Sequence, residues 1–268
     1  MTSPSLGARV RGRVDELRTV ADGSPVHDER TAAFLGVALG VSFTVCFVTG
    51  LMSHLAQHPT SWFAWPSRPA GLYRFTQGLH VATGLASIPL LLAKLWAVFP
   101  HLFRWPPFVS VAHVVERLML VPLVFGSIFM LFTGTANIMH WYPWRFSFTR
   151  SHYWVAWATI GALVAHVAAK AHTTVHALGS GEGAEAATSQ ALSAPSRRAY
   201  LGWTAAASGL VTLVTVGQTV RPLRRAAVLA PRRPDVGPQG VPVNGVPSAE
   251  VRAHATSPDY RFRVYGDV

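Results

Sequence analysis

The sequence predicts an all-α integral membrane protein: a four-helix bundle, a fifth transmembrane helix and a polar C-terminal tail. Three observations lead there. Half of the 268 residues are hydrophobic and only 13% are charged, and the mean hydropathy is positive. Apolar runs long enough to cross a bilayer, about 20 residues each, recur along the chain. Arginine, lysine and tryptophan gather at the ends of these runs, where lipid headgroups lie.

Residues 1–30 (MTSPSLGARVRGRVDELRTVADGSPVHDER) are polar and precede the first apolar run by too far to be a secretory signal. The bundle is expected over residues 31–178. Its first span runs from about Thr31 to Leu55, with His54 and His58 at its exit on one helix face and then a Trp/Pro loop, HPTSWFAWPSRPAGLYR. The second runs from about Phe75 to Val98, and the prolines of FPHLFRWPPFVS close it with a turn-like connection. The third runs from about His113 to Met139, and HWYPWRFSFTRS leads into the fourth, built on His152 to Lys170. A small-residue stretch within 179–199, GSGEGAEAATSQALSAPS, reads as a flexible linker. A shorter fifth span, Tyr200 to Val220, has Gly, Ser and Thr inside it. The tail, 221–268, is polar and Pro-rich and ends in a strand-like YRFRVYG.

Positive charge sets the orientation. Arg9, Arg11, Arg13, Arg18 and Arg30, then Lys94 and Arg104, then Lys170, Arg197 and Arg198 fall on one side. The other side has Arg68, Arg74, Arg145 and Arg150. A cytoplasmic N-terminus follows, and five spans put the tail outside, although it opens with Arg221, Arg224 and Arg225. Trp62, Trp65, Trp141, Trp144 and Trp154 then form an outer aromatic belt. The net charge of +11 is charge flanking a bilayer, with no basic stripe interleaved with aromatics to suggest nucleic acid. The single cysteine, Cys46, excludes an intramolecular disulfide, a cysteine metal cluster and covalent haem attachment.

Twelve histidines sit mostly at or near span ends, and two are informative together. His152 and His166 are fourteen residues apart on the fourth span. That spacing puts both within about 40° of one helix face and about 21 Å apart in depth. Neutral imidazole is a good axial ligand for haem iron, so one helix face with two imidazoles at two depths suits two stacked b-type haems. The outer haem pairs His80, just inside the second span, with His152; His54 and His140, at span ends, are alternatives. The inner haem takes His166, with His27, just before the first span, or His113, at the start of the third, as its partner; His101 is a further candidate. Arg68, Arg74 and Arg145 are candidate partners for the outer haem's propionates, or else headgroup anchors.

With these histidines in place, residues 27–178 resemble the bacterial di-haem cytochrome b membrane subunits, the four-helix type found as the gamma subunit of formate dehydrogenase and with nickel hydrogenases. The resemblance implies haem ligands at His27, His80, His152 and His166, and a quinone as electron partner. The tail, DVGPQGVPVNGVPSAEVRAHATSPDYRFRVYGDV, is similar to the opening of a sulfite-oxidase-type molybdopterin domain, which leads into a W/Y-R-L-x-V-x-G stretch. The combination resembles actinobacterial proteins that fuse such a cytochrome to such a domain. Their molybdenum is held by a cysteine well downstream, so the molybdopterin is expected in a domain or partner beyond this chain. An unstructured Pro/Gly segment is the alternative for the tail. SRRAYLGW, Ser196 to Trp203, resembles the twin-arginine export signal S/T-R-R-x-F-L-K.

The function expected is therefore electron transfer between the quinone pool and an extracytoplasmic molybdopterin-dependent oxidoreductase. The rival is a non-haem transporter or a membrane anchor or assembly protein. The rival accounts for the spans but not for His80, His152 and His166, nor do the spans carry the buried carboxylates common in proton-coupled carriers; Glu116 comes nearest.

Overall fold

The computed structural model describes residues 24, 26–102, 111–139, 141–179, 195–217, 220–230 and 249–261. Five helices in it are long and apolar enough to span a membrane: α1 Glu29–Gln57, α2 Leu72–Leu102, α3 Val111–Ile138, α4 Phe148–Gly179 and α5 Arg197–Val216. The short α6, Ala249–Ala255, follows. Among the described residues no strand forms, only an isolated bridge between Thr60 and Phe63. The architecture is that of an all-α integral membrane protein.

The interior of these helices mixes small hydroxyl residues with apolar ones, and large apolar side chains also cover the outside, unlike a soluble bundle. The largest fully buried side chains are Leu35 and four hydroxyl residues, Thr31, Thr133, Ser87 and Ser127. Large apolar side chains face outward, among them Phe125 (68% exposed), Val164 (64%) and Leu92 (62%). Lipid tails are as apolar as leucine, so burying leucine between helices gains little there, and small residues that let backbones approach fill the interfaces. The buried stripe of α1 shows this: Thr31, Leu35, Leu39, Ser42, Thr49 and Ser53 run along one face toward α2. Ser42 Oγ is 2.8 Å from Ser87 Oγ and donates to the Thr83 carbonyl at 3.0 Å.

α1 packs most closely on α2, α3 on α4, and α4 closes the bundle against α1. Asp28 starts α1 by accepting from the Thr31 amide at 2.5 Å, satisfying one of the helix's open N–H groups. Lys94, expected among the inner-face charges, turns into the α1–α2 seam and donates to the Ala32 carbonyl at 2.5 Å. α2 continues through Phe99 and Pro100 to Leu102, so the connection to α3 begins later than the prolines of FPHLFRWPPFVS suggested. α4 is longer than its expected span at both ends.

The fifth helix is part of the bundle. It runs antiparallel to α2, with Tyr200 Oη donating to the Ala93 carbonyl (2.9 Å), Ser208 Oγ to Ala86 (2.9 Å) and Thr212 Oγ1 to Ala82 (3.5 Å). At its start, Ser196 caps the Ala199 amide and Arg197 pairs with Asp28 at 3.3 Å. Past Val220, the expected end of the fifth span, the chain turns back: Leu229 N–H donates to the Val214 carbonyl at 2.9 Å and Ala227 is fully buried. The first compact unit accordingly extends to Ala230, and 231–268 form the second. In the second unit α6 is exposed on all sides; of the strand-like YRFRVYG, Tyr260 and Arg261 are irregular and the rest lies outside the described residues. The linker 180–194, most of the N-terminal segment and His140 also lie outside them.

Candidate functional site

A cavity of about 720 Å³ opens between α1, α2, α3 and α4. Along α1 its lining reaches from Phe43 to Gln57, fourteen residues or about 21 Å of helix. Its deep end is mainly apolar, with Phe43, Leu85, Met130, Ile160 and Leu163 beside the hydroxyls of Ser127 and Thr159. Its mouth is polar, with Ser53, Gln57, Gln77, Asn137 and Arg150. An apolar cleft with a few placed polar groups, on this scale of volume, is the form small-molecule and cofactor sites take.

His80 from α2 and His152 from α4 both line this cavity, their ring centroids 6.2 Å apart and their planes inclined at 71°. Two imidazoles bound on opposite sides of one ion, at a metal–nitrogen distance of about 2.0–2.1 Å, have centroids roughly 6 Å apart. Rotation about the ligand axis leaves the interplanar angle free.

Hydrogen bonds settle which nitrogen of each ring carries the proton. His80 Nδ1 lies 2.8 Å from the Cys46 carbonyl; a carbonyl only accepts, so Nδ1 is the protonated nitrogen. His152 Nδ1 lies 2.9 Å from Thr133 Oγ1. Thr133 already spends its one hydrogen on the Phe129 carbonyl at 2.7 Å, so it accepts from His152. In both rings the lone pair is therefore on Nε2, the state a metal ligand needs, with the other nitrogen held by an outer partner. Two glycines make room. A Cβ at Gly50 would stand 2.9 Å from His80 Cε1, and one at Gly134 would stand 3.3 Å from His152 Cε1.

The other expected residues are distributed differently. His54 lines the mouth, its ring stacked between Tyr153 (3.9 Å) and His58 (4.3 Å). His27 belongs to the opposite end of the bundle. Its Nδ1 donates to the Ala97 carbonyl at 3.1 Å and its ring lies 5.9 Å from Trp96, so its lone pair too is on Nε2. His166 is half-buried on α4 one turn beyond Leu163, where the described lining of the cavity ends. The side chains of His101 and His113 lie outside the described residues. Arg74 and Arg145 are exposed and do not line the cavity; Arg150 does.

Several residues of the site escaped the sequence reading. Thr133, Gly50, Gly134 and Arg150 carry no motif, and small residues in membrane helices are common. Comparison with known protein families, with curated proteins and with solved structures finds no match to this chain.

Proposed function

We propose that this protein is a membrane b-type cytochrome that passes electrons between the quinone pool and an extracytoplasmic molybdopterin-dependent oxidoreductase domain or partner. One observation carries the reading: His80 and His152 line one cavity with ring centroids 6.2 Å apart, each with Nδ1 engaged and Nε2 available, so that both could hold one iron. Haem b, when bound, supplies one-electron redox chemistry at the iron. The chain's own residues hold and orient it. His80 and His152 would hold the iron, the apolar part of the cavity would exclude water, and the polar mouth with Arg150 would take the propionate carboxylates.

His166 would hold a second haem with His27, which has the same tautomer as the outer pair, or with His113. The cell membrane is the proposed location, multi-pass, with the N-terminus cytoplasmic and the tail outside. The distribution of arginine and lysine at span ends supports this, and the twin-arginine-like SRRAYLGW gives the tail a route across.

The test is a reduced-minus-oxidised absorption spectrum and haem quantitation on purified protein. His80→Ala and His152→Ala each remove the same single haem, and His166→Ala the other. No b-type spectrum in the unmodified protein would leave a non-haem transporter or anchor in its place. Full haem occupancy in His80→Ala would break the outer pairing.

A further inference from the structure

We infer that Thr133 is a positioning residue that fixes the tautomer of His152 and strengthens its electron donation, so setting the reduction potential and retention of the haem that His152 holds. This rests on the haem reading above.

The two ligands are secured unequally. His80 donates to a backbone carbonyl, that of Cys46, which substitution of a side chain does not remove. His152 donates to a side chain, Thr133 Oγ1. The hydroxyl hydrogen goes to a carbonyl of its own helix, that of Phe129 at 2.7 Å, with that of Met130 also in reach at 3.4 Å. Thr133 Oγ1 and the Phe129 carbonyl oxygen are 2.7 Å apart, and two oxygens that close require a hydrogen between them, which only Thr133 can supply. Its lone pairs are then left facing His152 Nδ1, which must carry hydrogen. Were the hydroxyl free to rotate and donate to Nδ1, the proton of His152 would move to Nε2 and block ligation. Thr133 is itself almost fully buried, at 1% exposure, so water does not compete for the bond. An acceptor on Nδ1–H raises the basicity of the ligating nitrogen, which favours ferric over ferrous iron and lowers the potential.

Thr133→Val keeps the shape of the side chain and removes the acceptor. Its expected result is roughly 10–100-fold weaker haem retention at the outer site, the usual effect of losing an outer partner of a ligating histidine. The potential of the haem that remains should move upward. Thr133→Ser should restore both. The potential is read by redox titration of the absorption bands, with the His166 haem as an internal reference that should not move. Thr133→Ala repeats the deletion without apolar bulk, in case valine disturbs α3. An outer-haem potential and retention equal to the unmodified protein's in both Thr133→Val and Thr133→Ala would overturn the role of Thr133 while leaving the haem reading intact. Absence of haem from the unmodified protein would instead overturn the reading beneath it.

Discussion

At the scale of single residues, the site depends on close approach. His80 reaches the Cys46 carbonyl at 2.8 Å only because position 50 has no side chain: a Cβ there would meet His80 Cε1 at 2.9 Å and Nδ1 at 3.2 Å. Thr49 adds to the crowding, with its hydroxyl 3.4 Å from the same Nδ1. The ring cannot retreat from an added methyl without stretching its own hydrogen bond. Gly50→Ala should therefore cost about 1–3 kcal/mol of packing strain and lower the occupancy of the proposed outer haem. Gly134→Ala should do less, because its contact, 3.3 Å from His152 Cε1, is relieved by a few tenths of an ångström. Haem-to-protein ratios of the two variants check this, and equal, full occupancy in Gly50→Ala would show that the methyl is accommodated.

At the scale of elements, the histidine site belongs to α1–α4 and the fifth helix only braces it. α5 bonds along α2 through Tyr200, Ser208 and Thr212, and an interhelical hydrogen bond of this kind contributes about 0.6 kcal/mol on average. The hydroxyls of Ser208 and Thr212, inside the fifth apolar run, belong to its interface with α2. Ser208→Leu, at a position only 8% exposed, should push α5 off α2 and lower the thermal stability of the bundle by about 1–3 kcal/mol. The outer haem should be retained at full occupancy, since no residue of α5 lines its cavity. Thermal unfolding followed at the haem bands and by circular dichroism separates the two effects. Loss of haem at ambient temperature would mean that α5 shapes the site after all.

At the scale of the whole molecule, the proposed route of the tail makes contact with the fold. Arg197, the first of the arginine pair, forms the ion pair with Asp28 once α5 is docked, so the pair has both an address reading and a structural one. Exchange for lysine separates them. Lysine keeps the positive charge that Asp28 needs, but it lacks the guanidinium fork and is not equivalent where that fork is recognised. With a reporter fused after Val268, Arg197→Lys together with Arg198→Lys should leave the reporter in the cytoplasm while both haems still bind. A reporter outside at normal yield would reduce SRRAYLGW to a capped helix start with its ion pair.

The amino-acid sequence by itself determined the membrane class, the number of spans and the histidines worth considering. Those follow from local properties: apolar runs as long as a bilayer is thick, and a fourteen-residue interval that any α-helix turns into one face. His152 and His166 were legible as a pair because one helix holds both. His80 with His152 was reached by matching depths, and only packing put their rings 6.2 Å apart. The tertiary structure alone decided which nitrogens are protonated, that Thr133 and the Cys46 carbonyl hold them, that Gly50 and Gly134 clear the space, and that Arg150 rather than Arg74 or Arg145 reaches the cavity. Each of these is a contact between different helices, or depends on one. Because lipid outside is as apolar as any core within, apolar periodicity does not mark which face of a membrane helix turns inward. The inward face is set instead by small and hydroxyl residues, whose meaning appears only when the neighbouring helix is in place.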